Sequence, residues 1–245
     1  MNLKRFCTDI HIHTCLSPCG ELEMTPDAVV KTCINKGIDI IAICDHNSAE
    51  NVKWVQKAAE KCNLIVLAGM EITTSEEIHI LAIFDSNDQV MVLQDYVYTH
   101  LLPGQNNDDL FGIQVVANEK NEVEKIVHKM LIGATTISLN KIIKKIHSLK
   151  GLAIPAHIDR ENFSIIAQLG FIPDELNADA VEISYKADCN EILNIPGIKK
   201  YPIIRSSDAH RLSEIGRMTS DIYLEDVSMN EFKRAFSHKN GRRVE

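Results

Sequence analysis

Residues 25–48, TPDAVVKTCINKGIDIIAICDHNS, decide how the chain is read. Thr25 and Pro26 make a capped start, DAVVKTCINK supplies a helical period, and Gly37 supplies a stop. The apolar run IDIIAIC at 38–44 follows, too short for a helix and rich in isoleucine, so it reads as a strand. The strand ends on Asp45, His46, Asn47 and Ser48, which are polar residues where a buried strand would emerge. A helix feeding a buried strand that carries chemistry at its exit is the unit to seek elsewhere.

The unit recurs. Apolar runs lie at 6–13, 64–69, 78–84, 151–157, 178–184 and 201–210, with a short DIYL at 221–224, and a second helix is expected at about 49–62. Near-continuous Val, Ile and Leu, rather than strict alternation, suits strands buried on both faces of a parallel sheet. The expected fold class is therefore α/β, with a closed or nearly closed barrel ahead of a doubly wound open sheet. Residues 85–150 break the rhythm: polar helix formers, Pro103-Gly104 and GQNNDDLFG suggest a helical insertion on the rim of one domain spanning 1–245.

Composition narrows the classes. The chain of 245 residues is 45% hydrophobic, enough for one sizeable core, and its net charge of −8 offers no positive field for a long duplex nucleic acid. The start, MNLKRFCTDI, lacks a signal-peptide apolar run, and no window reaches about 18 consecutive apolar residues, so a soluble cytoplasmic protein without a membrane partner is expected. Seven cysteines without a CxxC pair suit reduced thiols in such a compartment.

Six of the ten histidines, His11, His13, His46, His79, His157 and His210, sit in or just after expected strands. Strand residues i and i+2 point the same way, so His11-x-His13 and Asp208-x-His210 each present two ligands side by side. With Glu71 these make eight candidate metal ligands, more than a single tetrahedral ion uses, and Glu71 or Asp208 suits bridging two ions about 4 Å apart. Burying so many polar groups without an ion would cost a few kcal/mol each. Asp9 and Asp45 stand where a carboxylate could accept a ligand imidazole's N–H, although Asp45 serves equally as a helix cap.

These motifs resemble the PHP family, named for bacterial DNA polymerases and histidinol phosphatases. The similar stretches are DIHIHT at 9–14, IAICDHNS at 41–48, AGMEITT at 68–74, IHILAIF at 78–84, AIPAH at 153–157 and SSDAHR at 206–211, in family order. The resemblance implies a distorted seven-stranded (β/α)7 TIM-like barrel, two or three divalent ions (Zn, Mn or Fe) and phosphoesterase activity. It carries the ligand role onto the same eight residues. Many members place a further ligand where this chain has Pro18 and Cys19; the candidates for that position are Cys19 as a thiolate favouring zinc or iron, or Glu21 or Glu23, and otherwise one ion is weakly held or absent and Cys19 is a loop thiol.

The expected reaction is hydrolysis of a phosphate ester by a metal-activated water, with Glu71 and Asp208 in the catalytic centre. Arg160, Arg211 and Arg205 flank the ligand motifs, and a guanidinium suits phosphate; Arg160 and Arg211 are the leading candidates. Small phosphomonoesters, nucleotides or a short single-stranded nucleic acid end are the expected substrates. The rival readings are a non-catalytic metal-binding regulatory module and an amidohydrolase-type enzyme. The latter would prefer a carboxylated strand-end lysine, which the sequence does not offer.

Overall fold

Pro26 opens the first helix, and Gly37, at φ +70°, turns the chain out of it. Proline suits the first helical turn because its missing N–H has no intrahelical partner there, and glycine bears the left-handed turn without a Cβ clash. The computed structural model describes residues 2–245. The strands are β1 (Lys4–Ile12), β2 (Ile40–Ile43), β3 (Ile65–Thr73), β4 (His79–Phe84), β5 (Val115–Ala117), β6 (Val123–Ile126), β7 (Leu152–Pro155), β8 (Val181–Ile183), β9 (Ile203–Arg205), β10 (Ser220–Leu224) and β11 (Arg243–Val244). The helices are α1 (Pro26–Asn35), α2 (Val52–Ala59), α3 (Asn87–His100), α4 (Asp108–Phe111), α5 (Leu139–Ser148), α6 (Ile165–Leu169), α7 (Cys189–Leu193) and α8 (Met229–Phe236).

A curled seven-stranded sheet, ordered β11-β10-β1-β2-β3-β4-β7, forms a half-barrel. The sheet does not close into the expected distorted (β/α)7 barrel; its β1–β10–β11 edge is antiparallel, and it departs from a parallel barrel in two further respects. First, β4 runs antiparallel to both β3 and β7, because the link from β3 closes in a tight turn, with Thr74 N–H donating to the Ile78 carbonyl. A parallel crossover needs about a dozen residues, and this link is too short for one. Second, β8 and β9 pair only with each other as strands, and isolated backbone bonds join them to their neighbours: Asp179 N–H to Ala153 O, Ile158 N–H to Glu182 O, and His13 N–H to Ala209 O.

The inward face of the curl packs Ile40 and Ala42 of β2, and Cys44 just past it, against Leu81, Ile83, Leu152 and Ile204, and Phe232 of α8 plugs the foot. The outward face packs Ile41 and Ile43 under α1, α2, α3 and α5. Both faces of β2 are thus buried, as its unbroken isoleucine run implies. Phe232 is fully buried, and Phe232→Ala would cost about 3–5 kcal/mol. Gly69 is needed for close approach: a Cβ there would lie 2.8 Å from Cys44 Sγ and from the Ile43 carbonyl.

One irregularity in β1 matters for function. Its register with β2 shifts between Asp9 and Ile12, so Ile10 packs inside the curl while Ile12 packs outside. Bulges of this kind re-aim side chains next to functional sites. Here it separates Asp9 from the face that carries His11 and His13.

The 85–150 interval carries three helices, α3, α4 and α5, and a hairpin that its sequence did not announce. Helices α3 and α5 bury Val90, Leu93, Val97, Ile142, Ile143 and Ile146 against the outer face of the sheet. Between them lies an antiparallel hairpin, β5 with β6, which covers a small cluster of Leu16, Val116, Val127 and Leu131. Every residue of β6 is exposed, so no apolar run announced it.

Candidate metal centre

At the top of the curl the polar strand ends converge, and all eight candidate ligands come together there. Glu71, at the end of β3, is the hub. Its Oε1 lies 2.9 Å from His79 Nδ1, 3.1 Å from His157 Nε2 and 3.5 Å from His11 Nε2. Its Oε2 lies 3.0 Å from His46 Nδ1 and 3.4 Å from His13 Nε2. Asp208 forms a second hub, with Oδ1 3.3 Å from His11 Nε2, 3.2 Å from His13 Nε2 and 3.6 Å from His210 Nδ1. Three groups, His13/His46/His210, His11/His13/Asp208 and His46/Glu71/His79, each gather their ligand atoms within 4.8 Å of one another. Such sets can hold divalent cations.

The details fit a cation better than a hydrogen-bonded core. His46 Nδ1, His79 Nδ1 and Glu71 Oε2 are buried and near one another, yet none is hydrogen-bonded. Their lone pairs converge instead of pairing. The imidazoles of His11, on β1, and His13, just past its end, say the same. His11 donates Nδ1–H to Glu182 Oε2 at 2.9 Å, because a carboxylate can only accept. His13 donates Nδ1–H to Ser17 Oγ at 2.8 Å, since that hydroxyl already donates to Asp45 at 2.7 Å. In their neutral forms the two rings face each other Nε2 to Nε2 at 3.2 Å, lone pair against lone pair, which a shared cation or protonation relieves.

Electrostatics sharpen the point. Burial by itself raises Glu71 and Asp208, but the surrounding imidazoles, His79 and His11 foremost, hold both well below the usual carboxylate range. Burial likewise works against charge on His11, and Glu182, Asp208 and Glu71 overcome it, lifting the ring well above its ordinary value. His79 goes the other way, to about 4, because burial outweighs its contact with Glu71. The site is a ring of bases around two pinned anions.

The other expected residues divide. Arg160 reaches the cluster and pairs with Asp208 Oδ2. Arg211 is 62% exposed and pairs with Glu21 at 3.2 Å, so the loop turns it to solvent and it does not join Arg160 as a cation on the cluster. Arg205 lies on β9, with its guanidinium beside Met218. Cys19 is an exposed residue whose thiol nonetheless lies against imidazoles: burial of the sulfur opposes ionisation, but His46 and His210 bring the thiol down to about 5. Cys15 is buried and structural, its thiol meeting the Val115 carbonyl at 3.5 Å.

The two aspartates expected to brace imidazoles do other work. Beyond the bulge, Asp9 faces away from the histidines and accepts the N–H groups of Ser207 and Gly216, both at 2.9 Å. Asp45 accepts from Thr14 N–H, Thr14 Oγ and Ser17 Oγ, all at 2.7 Å, so it acts on His13 only through Ser17. The helix-cap alternative does not hold either, since Asn51 is the residue at the N-terminus of α2. Sequence reading missed Glu182, a fully buried acid on the inward face of β8 that braces His11 and accepts the His157 N–H at 3.2 Å. The signal was a lone glutamate inside the apolar run ADAVEIS.

Beside the cluster a cavity of about 920 Å³ opens, walled by Arg160, Phe163, Tyr185 and Lys186. Phe163 stacks on the His79 ring at 4.7 Å and 17° between planes. Two walls of the cavity, Arg160 and Phe163, thus touch the cluster.

A family profile, the PHP domain, matches residues 9–169. A Bacillus subtilis (strain 168) protein, the uncharacterized protein YqxK, is 24% identical over 260 residues, covering 99% of this chain and 64% of its own length. The lesion-specific endonuclease Q of Pyrococcus furiosus superposes with a TM-score of 0.75 at 18% identity, over 98% of this chain and 58% of that one. A second endonuclease Q structure, holding a 27-mer duplex with an abasic lesion at its active site, gives 0.70. A Bifidobacterium adolescentis protein described as a candidate metal-dependent phosphoesterase gives 0.59 at 18% identity, over 83% of this chain and 87% of that one. The chain therefore spans less than two thirds of the length of the first two relatives. Among the described residues no helix is long and apolar enough to cross a membrane.

Proposed function

The chain belongs to the PHP domain family, and on that premise we propose that it is a metal-dependent phosphoesterase whose centre is the eight-residue cluster. The observation that carries the reading is the unprotected meeting of His11 Nε2 and His13 Nε2 at 3.2 Å between Glu71 and Asp208. Two or three divalent ions (zinc, manganese or iron) would supply Lewis acidity and a nucleophilic water at neutral pH.

The chain's own residues then take distinct tasks. His11, His13, His46, His79, His157 and His210 present ring nitrogens, and Glu71 and Asp208 lie where a carboxylate spans two positions. Glu182 and Ser17 fix which nitrogen of His11 and His13 faces the centre. Arg160, already at the cluster, suits the non-bridging oxygens of a phosphoryl group. Cys19, beside His46 and His210, takes the additional ligand position.

For the substrate we favour a phosphodiester in a nucleic acid strand, single-stranded or at a lesion in a duplex, on the strength of the endonuclease Q likeness. The open cavity gives the rest of such a substrate room beside the scissile bond. A small phosphomonoester is the second reading, which the description of the Bifidobacterium neighbour, a phosphoesterase with no substrate named, leaves open.

The test is elemental analysis of purified protein joined to a rate panel with manganese or zinc. The panel holds p-nitrophenyl phosphate, its bis-ester, histidinol phosphate, nucleotides, short oligonucleotides and duplexes with and without an abasic site. At least two metals per chain and cleavage of diesters are expected. Less than one metal under replete conditions sinks the metal centre, and a loaded but inert protein points to a regulatory module.

A further inference from the structure

Arg217 is outside every motif, yet its guanidinium is woven into the loop that carries Asp208. Its Nε donates to the Ser207 carbonyl at 2.8 Å and its Nη2 to the Asp208 carbonyl at 3.2 Å. Those carbonyls belong to the two peptide planes on either side of the Asp208 Cα. One planar fork therefore fixes both backbone torsions of Asp208 at once. The conformation needs fixing: Asp208 sits at φ +48°, in the left-handed region that costs a non-glycine residue about 1 kcal/mol.

The same unit reaches the next ligand. Glu214 Oε1 pairs with Arg217 Nη1 at 3.0 Å, while Glu214 Oε2 accepts the His210 N–H at 2.9 Å. Tyr185, a wall of the cavity, lies flat under the guanidinium at 3.8 Å and keeps the fork in register. We propose that Arg217 is a positioning residue, setting Asp208 and His210 toward His11 and His13, with Tyr185 as its support. The proposal rests on the metal-hydrolase reading for its effect on the site, but not for its effect on the loop. Lysine can neutralise the same charge yet cannot bond both carbonyls in one plane, so Arg217→Lys is the discriminating variant.

The experiment compares Arg217→Lys and Arg217→Gln with Arg243→Gln, a control whose guanidinium covers Tyr223 at 3.7 Å and pairs with Glu245, on the edge strand β11. Two readouts are taken on the full chain. Zn²⁺ and Mn²⁺ affinity by chelator competition should weaken about 10–100-fold in both Arg217 variants and not in the control. Hydrogen exchange of residues 207–210 in chelator-treated protein should quicken about tenfold, with the far-UV spectrum unchanged. If Arg217→Gln does not fold, Arg217→Lys decides. Wild-type metal affinity in the Arg217 variants, or unchanged exchange at 207–210, overturns the proposal. If wild type itself takes up no metal, the metal reading fails while the exchange result still judges Arg217.

Discussion

Glu182 Oε2 accepts the His11 Nδ1–H at 2.9 Å, and this bond joins the separate β8–β9 pair to the first strand of the main sheet at the level of the candidate metal centre. A buried carboxylate on a ring nitrogen fixes the tautomer and raises the basicity of the other nitrogen. Glu182→Gln keeps the shape but lets an amide N–H face the ring, so the wrong tautomer is stabilised. Metal affinity should fall about 10–100-fold, measured by competition with a chromogenic chelator. Unchanged affinity would show that Glu182 serves packing alone.

Cys19 predicts a spectroscopic result. Cobalt-substituted protein should show sulfur-to-cobalt charge-transfer absorption in the near ultraviolet, and Cys19→Ser should abolish it while leaving the visible bands of the histidine-bound ions. Loading preference should shift from zinc toward manganese in the same variant. Identical spectra for wild type and Cys19→Ser would remove the thiol from the coordination sphere.

Asp45 holds three donors of the loop after β1, all at 2.7 Å. Asp45→Ala strands Thr14 N–H and two hydroxyls in a buried place, and about 3 kcal/mol or more of stability should be lost. The chemical denaturation midpoint checks this. Ser17→Ala is the gentler companion: it spares the Thr14 bonds, frees His13 Nδ1, and should weaken metal binding more than it weakens the fold.

Acid stability should report a clasp far from the site. Arg242 donates Nε to Glu231 at 2.6 Å, and this bond, outweighing burial, brings the carboxyl down to about 2. A depressed acid adds stability above its unfolded value of 4.5, and that stability is lost as pH falls from there toward 2. Between pH 5 and pH 3 the wild-type melting temperature should drop more than that of Glu231→Gln. Parallel pH curves for the two proteins would contradict it.

Much of the site was readable because polar residues at the ends of isoleucine-rich strands have few other reasons to be there. His11, His13, His46, Glu71, His79, His157, Asp208 and His210 all announce themselves in this way, and all eight meet. The misreadings trace to effects that spacing does not carry. Asp9 matched the i, i+2 rule, but a register shift of β1 turned it to the other face. The direction of β4 depended on the short 74–78 turn, whereas its composition is that of a parallel strand. The exposed β6 has no burial pattern to read, and Arg217 acts through backbone carbonyls, which no side-chain motif records.

Three non-glycine residues beside the centre, Asn47, His157 and Asp208, adopt positive φ, at +50°, +31° and +48°. Each follows a strand and bends the chain so that its neighbours look inward. Packed isoleucine layers, Asn47's bonds to the Leu131 and Gly133 carbonyls and the Arg217 fork brace these bends from outside the cluster. A socket braced from outside in this way is expected to be cut before it is filled, unlike small domains that metal itself must fold. Stripping the ions should disarm this protein and leave it standing, ready to be reloaded and to exchange one metal for another as supply changes.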